Sequence, residues 1–175
     1  MSENVSYYKQ HTNNNTFYEK LLQSKKLTAK NILIMGSQTN FNFNNYFENA
    51  HIDYINVLNR LPSNFINNNT TIYNINDKTN IEHFVNDIFD KNIKYDIILD
   101  DGIHTENTIK FYMTDYIDWL TDDGIIIIED VWDWIDLLKD TTPDNLKSHI
   151  EIYNILNFKD KSDDVVFVIN KSSQN

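Results

Sequence analysis

The chain has 175 residues, 41% of them hydrophobic and 13% aromatic, which is enough for one domain with its own core and too apolar for a disordered segment. Its formal net charge is -11, with Arg60 the single arginine, so neither nucleic-acid phosphates nor an anionic membrane surface is an expected partner. No cysteine is present, which excludes disulfides, thiol catalysis and cysteine-ligated zinc.

The first residues, Met1 to Val5, have neither a basic stretch nor an apolar one, so no signal peptide is expected. No apolar run is long enough to span a bilayer, and the expected location is cytoplasmic. Asn and Ile are over-used while Ala, Gly and Arg are scarce, the mark of an AT-rich genome such as that of a giant virus, a low-GC bacterium or some protists. For a virus the location would be the host cytoplasm. Residues 1–15 read as a flexible N-terminus, 16–171 as one domain and 172–175 as a tail.

Thr16 and Glu19 have capping-box spacing and predict a helix to about Ser24. Residues 31–35 read as a first buried strand ending at Gly36, followed by an Asn-rich segment with a short helix over 44–49. Residues 53–58 and 71–75 read as the second and third strands. Thr79 and Glu82 form another capping box, and Ile81, Phe84, Val85, Ile88 and Phe89 repeat behind it at helical spacing. The apolar run 95–99 is a strand that stops at Asp100, Asp101, Gly102, Ile103 and His104. A helix over 105–120 follows, its apolar face formed by Ile109, Tyr112, Met113, Tyr116, Ile117 and Leu120 as core residues. Asp122, Asp123 and Gly124 read as a turn, and residues 125–128 as a strand that stops at Glu129 and Asp130. Pro143 sits where a later short helix begins, and residues 151–157 and 164–170 read as a hairpin.

This alternation predicts an α/β fold: a Rossmann-like, doubly wound, mainly parallel sheet with helices on both faces and a C-terminal antiparallel hairpin. Two buried strands joined by one helix are parallel, so both acidic clusters belong to the same carboxyl edge. Open α/β sheets bind their ligands at that edge. Asp101, His104, Glu129 and Asp130 therefore form the candidate site. Carboxylate oxygens suit Mg²⁺ or another divalent cation, and an imidazole beside them can act as a base. The plain alternative is that acidic residues end strands as turn formers and caps, and for Asp100 alone that reading is the stronger. Trp132 and Trp134 either wall a substrate pocket or pack.

The segment 95–104 together with 119–130 resembles the class I S-adenosylmethionine-dependent methyltransferases, most of all the metal-dependent macrolide-sugar O-methyltransferases and the cephalosporin hydroxylase-like group. Their pattern is a strand ending in Asp, Asp, Gly, a small residue and His, then a helix, a Gly turn and a strand ending in Glu and Asp. The resemblance implies S-adenosylmethionine and Mg²⁺ as cofactors, with metal on Asp101, Asp130 and Glu129, and His104 as the base. The expected cofactor contacts are Gly36, Ser37, Asn56, Asp77 and Asp100. The implied activity is O-methylation of a sugar or other polyhydroxy small molecule, with a small-molecule or glycan acceptor as partner and a homo-oligomer left open. The chain also departs from the pattern: Ile34 stands where the first strand normally ends in Glu, Asn40 and Phe41 replace glycines, and Asn56 stands where a carboxylate holds the ribose. These departures keep a second reading alongside the first, a catalytically inactive methyltransferase-like domain with a binding or structural role.

Overall fold

The computed structural model describes residues 8–11, 14–36, 41–56, 68–74, 84, 86, 92–102, 104–155 and 165–172. Its strands are β1 (Tyr8–His11), β2 (Asn31–Gly36), β3 (His51–Asn56), β4 (Thr70–Asn74), β5 (Tyr95–Asp101), β6 (Leu120–Ile128), β7 (Ile150–Ile155) and β8 (Val165–Asn170). Its α-helices are α1 (Asn14–Leu21), α2 (Phe43–Tyr46), α3 (Glu106–Trp119) and α4 (Ile135–Thr141). All eight described strands join one sheet in the order β1-β7-β8-β6-β5-β2-β3-β4. Every pairing is parallel except the two that β8 makes, with β6 and with β7. The predicted α/β, mainly parallel architecture with one antiparallel hairpin is thus the observed one.

The isoleucine run explains why the sheet is covered on both sides. Ile125 and Ile127 face one apolar layer, Ile126 and Ile128 the other, and all four are fully buried. A strand with alternate residues on opposite faces needs such a run when both faces are dry. The first layer packs Phe17, Tyr18 and Leu22 against the sheet, together with Phe41, Phe43 and Phe47. The second packs α3 through Ile109, Met113 and Tyr116, and α4 through Ile135 and Leu138. Each fully buried side chain of this size contributes roughly 1.5–3 kcal/mol. Helix α3 starts where its cap lies: the Thr105 side chain accepts from Thr108 N at 3.3 Å, and Thr105 N donates to Thr108 Oγ1 at 2.8 Å.

Three elements differ from the sequence expectation. The segment expected to be flexible contains β1, which pairs in parallel with β7 from Tyr8↔Ile152 to His11↔Ile155. Helix α1 begins at Asn14, so Thr16 lies inside its first turn and is not the cap. The expected turn at Asp122 to Gly124 belongs to the start of β6, where the register slips between Tyr95↔Leu120 and Ile97↔Ile125. Leu120 is buried in the core there, while Asp122 and Asp123 bulge out to solvent. Asp123 meets the buried ammonium of Lys25 at 2.7 Å. The helix expected behind Thr79 lies largely outside the described residues. Within it, Phe84 is helical and buried.

Candidate functional site

The strand order fixes where the site lies. From β2 the chain builds outward through β3 to β4, then crosses back to β5 and continues outward through β6. The reversal falls between β2 and β5, and the crevice at their carboxyl ends is the binding position of an open α/β sheet. Gly36 ends β2 and Asp101 ends β5, and the two are register partners. Gly36 has φ +107, and a β-carbon there would come within 2.0 Å of the Asp101 carbonyl oxygen. Only glycine permits that approach, so the crevice begins with two backbones in contact.

Asp100, one residue earlier on β5, is 1% exposed. Its Oδ2 accepts a hydrogen bond from Tyr116 Oη at 2.9 Å, and its Oδ1 accepts from Gly102 N at 2.9 Å. Burial pushes its carboxyl above the usual carboxylate range, and the charge of His104 and these two hydrogen bonds pull it back. Asp101 is half-buried at the strand end. His104 follows just before α3, and both of its ring nitrogens are buried with no hydrogen-bond partner among the described residues. Such an orphaned imidazole is rare, because an unpaired buried polar group costs about 1–3 kcal/mol.

The second acidic end arrives beside the first. Asp100 pairs with Ile128, and Glu129 N donates to the Asp100 carbonyl at 2.9 Å. Burial first, and the charge of Asp130 second, push the Glu129 carboxyl up to about 8. Asp130 is exposed and takes φ 55, the left-handed turn that carries the chain off the sheet. Val131 then bonds to Val165 on β8, and Trp132 is exposed while Trp134 packs half-buried on the core. The sequence-predicted Asp101, His104, Glu129 and Asp130 therefore share one edge of two adjacent strands. Among the described residues, however, no three His, Asp or Glu side chains are grouped closely enough to hold a metal ion.

On the other side of the switch point, Asn56 ends β3, buried, and its Nδ2 donates to Asn74 Oδ1 at the end of β4 at 2.9 Å. Ser37 and Asp77, the other expected cofactor contacts, lie outside the described residues. Phe41 has a clear position: it is 4% exposed, stacked on Tyr18 and edge-on to Phe43 at centroid distances of 5.1 and 5.0 Å. Its ring belongs to the core layer that also holds Phe17 and Tyr18 of α1. Sequence reasoning missed Asn74 and the hydroxyl of Tyr116. The second was open to it, since a tyrosine on an otherwise apolar helix face needs a buried partner for its hydroxyl.

No protein-family model matches the chain, and no curated protein matches it. Solved structures do. The MycE methyltransferase of the mycinamycin biosynthetic pathway, in complex with Mg and SAH, superposes with a TM-score of 0.59 at 15% identity over 89% of this chain and 49% of that one. The Methanococcus jannaschii fibrillarin pre-rRNA processing protein gives 0.53 at 16% identity, over 84% of this chain and 69% of that one. The N-methyltransferase NodS of Bradyrhizobium japonicum gives 0.52 at 8% identity, over 88% and 90%. This is the class I methyltransferase fold. At these identities the likeness concerns the fold, and the chain spans about half the length of MycE. Within that methyltransferase fold, Gly36, Asp101 and Asn56 occupy the carboxyl edge on either side of the switch point.

Proposed function

We propose that the chain is an S-adenosylmethionine-dependent methyltransferase domain whose acceptor is a hydroxyl of a sugar or another polyhydroxy small molecule. The observation that carries this reading is His104, an imidazole whose two buried nitrogens have no hydrogen-bond partner among the described residues, at the switch point of a methyltransferase fold. The cofactor supplies a methyl group on a sulfonium, which an oxygen nucleophile can take. The protein's task is then to present that oxygen and to remove its proton. In this reading an imidazole nitrogen of His104 accepts the proton, since neither nitrogen is hydrogen-bonded to another described residue. In this reading Asn56, at the end of β3, bonds the ribose by amide and not by carboxylate. The acidic rim of Asp101 and Asp130 favours a neutral or cationic acceptor over an anionic one.

Mg²⁺ belongs to this reading through the donor chemistry of Asp101, Glu129 and Asp130, because hard oxygens with water positions are its habitual ligands. Among the described residues no three such side chains are grouped closely enough to form a ready cage, and burial raises the Glu129 carboxyl above the usual carboxylate range. The partners in this reading are the small-molecule or glycan acceptor and, for assembly, a second copy of the chain.

One observation favours the alternative, a methyltransferase-like binding domain without catalysis. The end of β3 offers Asn56, already bonded to Asn74, where a charge-assisted contact to the ribose would be stronger. Calorimetry with S-adenosylmethionine and S-adenosylhomocysteine, with and without MgCl₂, separates the two. Binding at micromolar to sub-millimolar affinity supports the enzyme. A folded protein that binds neither ligand at millimolar concentration leaves the non-catalytic domain, and an affinity indifferent to MgCl₂ removes the cation.

A further inference from the structure

We infer that Tyr116 is a positioning residue, whose hydroxyl acts through Asp100 to hold the two acidic strand ends of the crevice in one arrangement. Asp100 is a bracket with three attachments. Its Oδ2 accepts from Tyr116 Oη on α3, its Oδ1 from Gly102 N in the turn that leads to His104, and its backbone carbonyl from Glu129 N at the exit of β6. One buried residue thereby ties a helix, a turn and a neighbouring strand end together. The Tyr116 hydroxyl also lies 3.3 Å from Met35 Sδ on β2, which brings the other side of the switch point into the same knot.

Two features separate this from ordinary core packing. A ring that served only the core could be phenylalanine, because a buried hydroxyl is costly unless it is hydrogen-bonded. Asp100 is 1% exposed, and both of its carboxylate oxygens already accept from protein donors. Its carboxylate is held by the protein, so the residue acts on the site through what it holds. Its consequence for methyl transfer rests on the proposed function, whereas the bracket itself does not.

Two measurements on Tyr116→Phe test it. Amide hydrogen exchange by NMR should show Gly102 and Glu129 exchanging about ten- to a hundredfold faster than in the wild type, beyond any uniform change in the core amides of β2 and β6. S-adenosylhomocysteine titrated with MgCl₂ present should bind with altered affinity, although Tyr116 touches no ligand. Asp100→Asn guards against a folding defect in the first variant. Its amide oxygen can accept from Tyr116 or from Gly102 but no longer serves both as a carboxylate does, and the same two amides should speed up. If Gly102 and Glu129 move only in step with the core in both variants, Tyr116 is a packing residue and the inference fails. If the amides respond but the wild type binds no S-adenosylhomocysteine, the bracket stands and the methyltransferase reading falls.

Discussion

At the scale of single residues, the departures from the family pattern divide into one that matters for binding and one that matters for packing. Asn56 is the first kind. Restoring a carboxylate with Asn56→Asp leaves Asn74 able to turn its amide and donate, so the fold should tolerate it. A charge-assisted hydrogen bond is worth roughly 1.5–3 kcal/mol, and S-adenosylhomocysteine affinity by calorimetry should tighten about ten- to a hundredfold. No gain in affinity would mean that the ribose does not lie at β3. Phe41 is the second kind. In the sequence it occupies a glycine position and threatens to close the crevice. In the structure its ring is spent on Tyr18 and Phe43. Phe41→Ala should therefore lower stability by about 3–5 kcal/mol in urea unfolding without tightening cofactor binding. The acidic residues were legible because strand ends show in a sequence. The partners Tyr116 and Asn74 were not, because hydrogen bonds between elements leave no spacing to read.

At the scale of elements, the bulge at the start of β6 is held by an ion pair between unequal partners. Lys25 is 3% exposed and Asp123 is 71% exposed, with 2.7 Å between Nζ and Oδ2. The hydrogen bond from Lys25 holds the Asp123 carboxyl below the usual carboxylate range. A depressed carboxylate contributes stability that is present above its unfolded value and lost as pH falls through the folded one. The exposure of Asp123 keeps that contribution small. Removing it is another matter, since the buried ammonium loses its partner. Asp123→Asn should cost about 1–3 kcal/mol at neutral pH, and the difference from the wild type should shrink as pH falls below about 4. Urea midpoints at pH 7 and pH 3 measure both. A constant difference across that range would assign the loss to shape and not to charge. The sequence placed Asp122 to Gly124 in a turn because Gly after two Asp is turn chemistry. It could not show that Leu120, already at home in the core, would pull the strand's start five residues earlier. Likewise β1 is Tyr, Lys, Gln and His, with no alternation to announce a strand.

At the scale of the whole molecule, the order of elements was readable from the alternation of apolar runs and helical faces. The carboxyl edge followed from the parallel rule alone. If that edge binds the cofactor, saturation should raise global stability. Ligand at a hundred times its Kd adds about 2.7 kcal/mol, which for a chain of this size raises the melting temperature by about 5–10 °C. S-adenosylhomocysteine should do this in a thermal scan, and adenosine should do so less. An unchanged melting temperature at millimolar S-adenosylhomocysteine would remove the cofactor from the edge.

The position of β8 has a consequence in time. It follows β7 in the chain but lies between β7 and β6, and β1 reaches the sheet only by way of β7. On the ribosome, β1 emerges before every other described strand, and its neighbour β7 much later. Neither has a place in the sheet until β8 slides in as the wedge between two partners. The five strands from β2 to β6 can assemble as each appears, whereas the remaining three must wait and lock together in one event. Until then the strand pair-to-be and the unpaired edge of β6 stay open to other chains, so the nascent protein is most prone to aggregate just before β8 arrives.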